Sequence, residues 1–350
     1  MKRKIKVAIW GFGAMGSGMA RMINSIKGFD LVGVCDKYDK YQGKSVFEIL
    51  ASDNPYDHDV LVEANIVDIL KNEKPDIVLL ATDSFTKDAF PKIKLLLEHG
   101  TNVISTAEEM AYPKANEPLL AKSIDQLAKA YGKTVLGTGV NPGMMMDLVA
   151  IVLSGVMTRV DGFQISRINS LSPFGPTVMQ EQGVGLTQEE YLLKEKQKAI
   201  SGHVGFRESA MMIAEALGLE LSSFKQTMEP IVTEVERKSK YGHAAKGNVC
   251  GVNMKATAFF DNGLKLEMHH PQQIEPELGG VKTGDYIKIL GVPEINMEIK
   301  PEVEGGLGTI AICVNMIPHV INASPGLKTM IDLPVPRAIV GDIRNLVEIN

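Results

Sequence analysis

Two adjacent carboxylates, Glu108 and Glu109, follow the short apolar run Asn102-Val103-Ile104-Ser105 and the connector Thr106-Ala107. A carboxylate at the end of a buried strand can attract an ammonium group, take its proton, and later help water attack an electron-poor carbon. Successive residues point in different directions, so one of the pair faces a pocket. The competing reading is that the acids simply open the next helix, where negative charge complements the dipole. A second constellation lies near the start of the chain. Gly11-Phe12-Gly13-Ala14-Met15-Gly16 follows the β-branched run Ile5-Lys6-Val7-Ala8-Ile9-Trp10 and leads into a helical pattern through Ile23. Asp36 stands 20 residues beyond Gly16, at the end of Leu31-Val32-Gly33-Val34-Cys35.

Strand, glycine turn, helix and distant acid together form the dinucleotide-binding pattern of a Rossmann unit. Gly11 permits the tight turn, Gly13 lets a pyrophosphate approach the backbone, and Gly16 lets the helix lie close to the sheet. Phe12, Ala14 and Met15 complete the turn, whose N–H groups and helix dipole face phosphate. Asp36 accepts ribose hydroxyls and opposes a 2′-phosphate, which favours NAD. Lys37, Lys40 and Lys44 soften that repulsion and leave NADP open.

Asp76-Ile77-Val78-Leu79-Leu80-Ala81 reads as a buried parallel strand followed by Thr82-Asp83-Ser84 and a helix over 86–99. Thr134-Val135-Leu136-Gly137 repeats the theme and leads to Thr138-Gly139-Val140-Asn141-Pro142-Gly143 and a Met-rich helix from Met144 to about Gly155. Such alternation predicts a doubly wound parallel sheet, with ligands beyond the carboxyl ends of its strands. Thr82, Asp83, Ser84, Glu108 and Asn141 therefore border one crevice.

The expected fold class is α/β. An N-terminal Rossmann doubly wound parallel sheet over 1–150 is joined to a second α+β domain with a mixed or antiparallel sheet over 151–305, and 306–350 returns to the first domain. The 350 residues suit about two domains. With 37 basic against 42 acidic residues, the net charge of −5 provides no basic field for nucleic acid or an anionic membrane. A small-molecule partner is expected. Cys35, Cys250 and Cys313 lack metal or redox spacing and read as reduced cysteines of a cytoplasmic chain. No apolar run is expected to reach membrane-spanning length.

In the second domain, strands are expected over 162–168, 229–237, 248–260, 264–270, 286–290 and 295–300. Asp261-Asn262-Gly263 forms a hairpin turn. Helices are expected over 188–199, 207–217 and, later, 308–322. His269 and His270 superficially resemble a dihydrodipicolinate reductase signature, but Pro271-Gln272-Gln273 follows instead of that family's Lys and Pro-Ser-Gly-Thr. Neighbouring strand residues face opposite sides, so this pair is poorly placed to hold one metal. Arg167, His203, Arg207 and His319 can each hold a substrate carboxylate or sit on a solvated face. Met144-Met145-Met146 reads as flexible pocket wall or core.

The chain resembles the 2,4-diaminopentanoate dehydrogenase family and the related native amine dehydrogenases. The resemblance rests on residues 10–16, on Ser105-Thr106-Ala107-Glu108-Glu109-Met110, on residues 137–143, and on Asn315-Met316-Ile317-Pro318-His319 through Pro336-Arg337. It implies NAD(P)-dependent oxidative deamination, with reductive amination of ketones in reverse, and a catalytic glutamate for which Glu108 aligns best and Glu109 stands second. It further implies a homodimer formed through the second sheet. Thr106, Asn141 and Asn315 are expected beside the cofactor. Asn141, Pro142, Met144, Arg167, His203 and His319 are expected near substrate. Expected small molecules are NAD, with NADP as an alternative, an amine or ketone, and ammonia. No metal is expected. Members divide between 2,4-diaminopentanoate and simple ketones or aldehydes. Homoserine-type dehydrogenases share the layout but carry Ala-Asn-Lys where this chain has acids. A regulatory protein that binds NAD(H) without chemistry is the reading from another class.

Overall fold

A computed structural model describes residues 2–348. The chain divides into two units, one running to Gly143 and resuming at Leu307, the other spanning Met144–Gly306. The sequence places these divisions at 150 and 305.

The first unit opens with β1 (Ile5–Trp10), α1 (Ala14–Ser25), β2 (Phe29–Cys35), α2 (Val46–Leu50), β3 (Val62–Glu63), α3 (Ile66–Glu73), β4 (Ile77–Leu80), α4 (Thr86–Glu98), β5 (Asn102–Ser105), α5 (Pro118–Ala130) and β6 (Thr134–Gly137). Its strands are short and buried on both faces, as a parallel sheet with helices on either side requires. Ala8, Val78, Leu80, Val103 and Val135 meet Ile69, Ile93, Leu96 and Ile124 from α3, α4 and α5. Each of the valines, leucines and isoleucines among them, fully buried, contributes about 1.5–3 kcal/mol.

The second unit contains α6 (Leu148–Ser154), β7 (Arg159–Ser170), α7 (Pro176–Glu181), α8 (Gln188–Lys196), α9 (Phe206–Leu217), β8 (Leu221–Val232), β9 (Arg237–Lys238), β10 (His243–Ala244), β11 (Val249–Phe260), β12 (Lys265–Gln273), β13 (Gly284–Val292) and β14 (Ile295–Ile299). Six strands form a sheet in the order β14-β13-β7-β12-β11-β8, and β9 and β10 form a separate ribbon. The β12–β7 pair is parallel and the others are antiparallel, so the sheet is mixed. One face carries the core, where Phe163, Ile165, Met268 and Ile287 meet Tyr191, Phe206, Ala210 and Ile213. Gly263 closes the β11–β12 hairpin with φ +84°.

Helices α10 (Gly305–Asn315) and α11 (Ile317–Asn322) lead to β15 (Gly326–Lys328). The seven-stranded sheet runs β15-β6-β5-β4-β1-β2-β3, and all its pairs are parallel. The stretch 305–322, 18 residues with mean hydropathy 1.3, has the length and composition of a membrane span, which corrects the expectation that no run reaches this. It is built as two helices meeting at Met316, and Ile312, Cys313, Val314, Met316, Ile317 and Val320 are buried.

The expected Met-rich helix from Met144 is shorter than anticipated, because α6 begins only at Leu148. Asp147 is its N-cap, taking the Leu148 N–H on one carboxylate oxygen and the Ser209 hydroxyl on the other. The three cysteines are free and buried.

Candidate active site

The carboxyl ends of the first unit's strands are tied into one row by backbone hydrogen bonds that continue the ladder. Gly11 N–H reaches Cys35 O at 2.8 Å, Ala81 N–H reaches Trp10 O at 2.8 Å, Thr106 N–H reaches Leu80 O at 3.0 Å, and Thr138 N–H reaches Ser105 O at 3.0 Å. The glycine turn and the segments at Thr82, Glu108 and Asn141 therefore leave neighbouring strands at the same edge.

At the turn, each glycine has a distinct reason. Gly11 has φ +99° and lies so close to Ala81 that a Cβ would come within 2.4 Å of its carbonyl oxygen. At Gly16 a Cβ would stand 1.8 Å from Gly11 O. Gly13 is different, since nothing lies within 4 Å of where its Cβ would be. That open flank sits at the N-cap of α1, which has no side-chain cap and no acid in its first turn. Bare N–H groups, positive dipole and an open approach fit a pyrophosphate. The chain's residues thus fit a bound dinucleotide, with Gly11, Phe12, Gly13, Ala14, Met15 and Gly16 forming the cradle.

Asp36 lies half-buried at the end of β2. Its carboxylate already accepts Phe12 N–H at 2.5 Å and Tyr38 N–H at 2.8 Å. Each oxygen keeps lone pairs for a ribose hydroxyl, because a carboxylate offers about four acceptor sites. Lys37 is exposed beside it. Thr82 and Asp83 are engaged by Lys92, whose ammonium lies 2.9 Å from Thr82 Oγ1 and 2.6 Å from Asp83 Oδ1. Lys92 is a positioning residue that the sequence reading missed. Ser84 gives its carbonyl to Glu109 N–H at 3.1 Å. Thr106 is half-buried beyond β5.

The two glutamates separate cleanly. Glu108–Ala111 form a 3₁₀ turn immediately after the Ala107 N-cap. Glu109 turns inward, 9% exposed, and its carboxylate accepts Thr86 N–H at 2.8 Å and lies 3.5 Å from Asn116 Nδ2. It therefore serves the open N-terminus of α4, where an acid is favourable. Glu108 remains half-buried at the strand edge. Gly137 makes this turn possible, for a Cβ there would fall 2.0 Å from Met110 O.

Asn141 and Pro142 belong to the segment after β6, which Thr309 braces through its hydroxyl, 3.2 Å from Val140 N. Asn315 uses its side-chain oxygen to accept Ile339 N–H at 3.1 Å, tying down the C-terminal stretch. His319 is buried on α11, which packs against β5 and β6, and its Nε2 has no hydrogen-bond partner. Desolvation, and secondarily the Arg337 charge, lower its pKa.

In the second unit, Met144 is half-buried. The helix-covered face of the sheet changes character along its strands. Phe163 and Ile165 are followed on the same face of β7 by Arg167 and Asn169, and Leu266 and Met268 of β12 by His270 and Gln272. Asp285 on β13 is in register with Arg167, and Gln272 with Asn169. All five of these polar side chains are buried. Arg167 pairs with Asp285 and donates to Val303 O at 2.5 Å. It is thus a buried, neutralised cation rather than the solvated one or the open carboxylate ligand that the sequence offers.

His270 Nδ1 lies 2.6 Å from Arg167 O, and its ring meets His203 edge-on with centroids 4.8 Å apart. Desolvation, followed by the nearby Arg167 charge, pulls His203 down to about 3. Desolvation, then His203 and Arg167, lower His270 as well. His269 faces the other way and contacts Asn253 Oδ1 at 2.7 Å, as strand alternation predicts. Asn169 Oδ1 and Gln272 Nε2 are buried without a hydrogen-bond partner. Sequence reading passed over both; a two-residue period carried on from Phe163 and Leu266 would have found them.

Residues 144–349 match the family described as 2,4-diaminopentanoate dehydrogenase C-terminal domain, and residues 7–111 match the ketopantoate reductase PanE/ApbA family. The chain is 55% identical over 345 residues to a 2,4-diaminopentanoate dehydrogenase of Acetoanaerobium sticklandii, covering 98% of this chain and 97% of that one. It is 23% identical over 362 residues to an amine dehydrogenase of Streptomyces virginiae, covering 96% and 98%. Among solved structures, an amine dehydrogenase from Mycobacterium smegmatis superposes with a TM-score of 0.85 at 26% identity, over 95% of this chain and 97% of that one.

Proposed function

The chain belongs to the 2,4-diaminopentanoate dehydrogenase family, and from that premise we propose that it oxidises the C4 amine of 2,4-diaminopentanoate to 2-amino-4-oxopentanoate and ammonia. It is a nicotinamide-dependent oxidoreductase acting on amines, reversible as reductive amination. NAD is the proposed preferred cofactor, supported by Asp36 at the ribose position. When bound, the nicotinamide dinucleotide supplies the acceptor for a hydride.

The observation that carries the proposal is the division of labour between the glutamates. Glu109 is committed to α4 through Thr86. Glu108 lies half-buried in the turn that leaves β5, at the edge where the dinucleotide cradle also lies, and takes the proton-transfer role. It takes a proton from the substrate ammonium, so that the nitrogen lone pair can assist departure of the hydride from the same carbon. Glu108 passes that proton to solvent, and its regained negative charge stabilises the positive iminium that results. Glu108 then takes a proton from the water that adds to that carbon, and ammonia leaves as the carbonyl forms. The balance is one amine, one oxidised nicotinamide and one water consumed, with one ketone, one ammonia, one reduced nicotinamide and one proton formed.

The diamine, in preference to a simple amine, is supported by the 55% identity over nearly the whole chain to a 2,4-diaminopentanoate dehydrogenase. A homodimer through the second sheet's helix-free face, carrying Ser166, Thr257, His269 and Tyr286, and a cytoplasmic location consistent with three free cysteines, complete the proposal.

The test is a spectrophotometric assay of the purified protein with NAD against 2,4-diaminopentanoate, simple amines and homoserine. Reduced nicotinamide is expected with the diamine, weakly or not at all with 2-aminobutane, and not with homoserine. Turnover of 2-aminobutane equal to that of the diamine would overturn the substrate assignment, and turnover of homoserine alone would overturn the amine chemistry.

A further inference from the structure

Asp36 opposes a 2′-phosphate, yet the residues around it are arranged to hold a positive charge. Its carboxylate is turned back on the chain by Phe12 N–H and Tyr38 N–H. Just beyond, the Lys40 ammonium lies 4.7 Å from the centroid of the Tyr38 ring and 4.6 Å from that of Tyr41. The two rings are 5.9 Å apart. Tyr41 in turn meets the ring of Phe12 edge-on at 6.0 Å. Phe12 is 1% exposed and belongs to the glycine turn, so it is a fixed footing. The ammonium is thus linked through two rings to the residue whose N–H holds Asp36.

This differs from an ordinary surface lysine. A carboxylate partner would fix an ammonium and cancel its charge, whereas ring faces fix it and leave the charge available. Among the described residues no carboxylate forms an ion pair with Lys37, Lys40 or Lys44. The exposed Lys37 and Lys44 add to the local field but have no comparable seat.

We propose that Lys40, seated on Tyr38 and Tyr41, is the residue that receives the 2′-phosphate of NADP and sets the balance between the two cofactors. The inference rests on the reading of the Gly11–Gly16 turn as the dinucleotide site. Asp36 serves the hydroxylated ribose of NAD, and Lys40 offsets the phosphate that Asp36 repels. The aromatic seat already restricts the lysine side chain, so less rotamer freedom is lost when the ammonium engages a phosphate.

Binding of NADH and NADPH is followed by nicotinamide fluorescence, and kcat/KM for NAD and NADP is measured with the amine substrate in wild type, Lys40→Ala, Lys40→Arg and Lys44→Ala. The NADP-to-NAD ratio of kcat/KM is expected to fall tenfold or more in Lys40→Ala, through KM. Lys40→Arg should restore most of it, and Lys44→Ala should shift it less than threefold. Wild-type NADPH affinity should weaken with salt more steeply than NADH affinity. An equal loss for both cofactors in Lys40→Ala, or a larger shift in Lys44→Ala, would overturn the assignment. If wild type bound NADH but not NADPH, Lys40 alone would lose its role. If it bound neither, the dinucleotide reading beneath it would fail instead.

Discussion

Glu108 and Glu109 are neighbours in sequence, but their removal should damage different properties. In Glu109→Ala the buried Thr86 N–H loses its acceptor, at a cost of about 1–3 kcal/mol. Removing negative charge from the start of α4 adds about 0.3–1 kcal/mol. The total of roughly 1–4 kcal/mol corresponds to a drop of about 2–16 °C in melting temperature for a unit of this size. Glu109→Gln keeps an acceptor oxygen and loses only the charge, so its drop should stay under about 4 °C. Both Glu109 variants should retain turnover when assayed well below their melting points. Glu108→Gln should lose about 10²–10⁴ in kcat, the usual reach of general acid–base catalysis. Differential scanning fluorimetry and initial rates of nicotinamide reduction, run on the same preparations, give the two readouts. If Glu109→Gln lost turnover as deeply as Glu108→Gln without loss of stability, the assignment of roles would be refuted.

Gly13→Val should leave the melting temperature nearly unchanged, because its Cβ enters open space, while weakening NADH binding at least tenfold in a fluorescence titration. Gly16→Ala should fail on both measures, since its Cβ would stand 1.8 Å from Gly11 O. Gly137→Ala should shift the Glu108 turn away from a Cβ placed 2.0 Å from Met110 O, lowering kcat more than tenfold with NADH affinity retained. His203 and His270 are held neutral in the folded chain, with folded pKa values below the unfolded value near 6.5. The unfolded chain therefore binds more protons below that value, and their stability contribution, complete above about pH 6.5, declines as pH falls toward about 3 for His203. Melting temperatures between pH 7.5 and 4.5 should fall less steeply in His203→Phe than in wild type; identical slopes would contradict this.

The dinucleotide half was legible because its signals are local. Gly11, Gly13, Gly16 and Asp36 announce a turn and an acid whose spacing is set by one strand–helix–strand unit. The continuous apolar runs of β4 and β5 likewise identify strands buried on both faces. The second unit was harder. Strand β8 covers Leu221–Val232 where the sequence suggested 229–237, because its first eight residues are largely exposed and show no apolar alternation. The pairing of Arg167 with Asp285, 118 residues away, depends on the β7–β13 register, which no local pattern states. The separation of Glu108 from Glu109 was legible only in kind. Which of them turns inward depends on the Thr86 N–H at the start of α4.

The most direct test of amine oxidation follows both products from one carbon. 2,4-Diaminopentanoate carrying deuterium at C4 is incubated with NAD and the wild-type protein, and the reduced nicotinamide is examined by mass spectrometry while ammonia is counted. Deuterium should appear in the reduced nicotinamide, with one ammonia released for each hydride transferred. Reduced nicotinamide free of the label, or formed without ammonia, would contradict it.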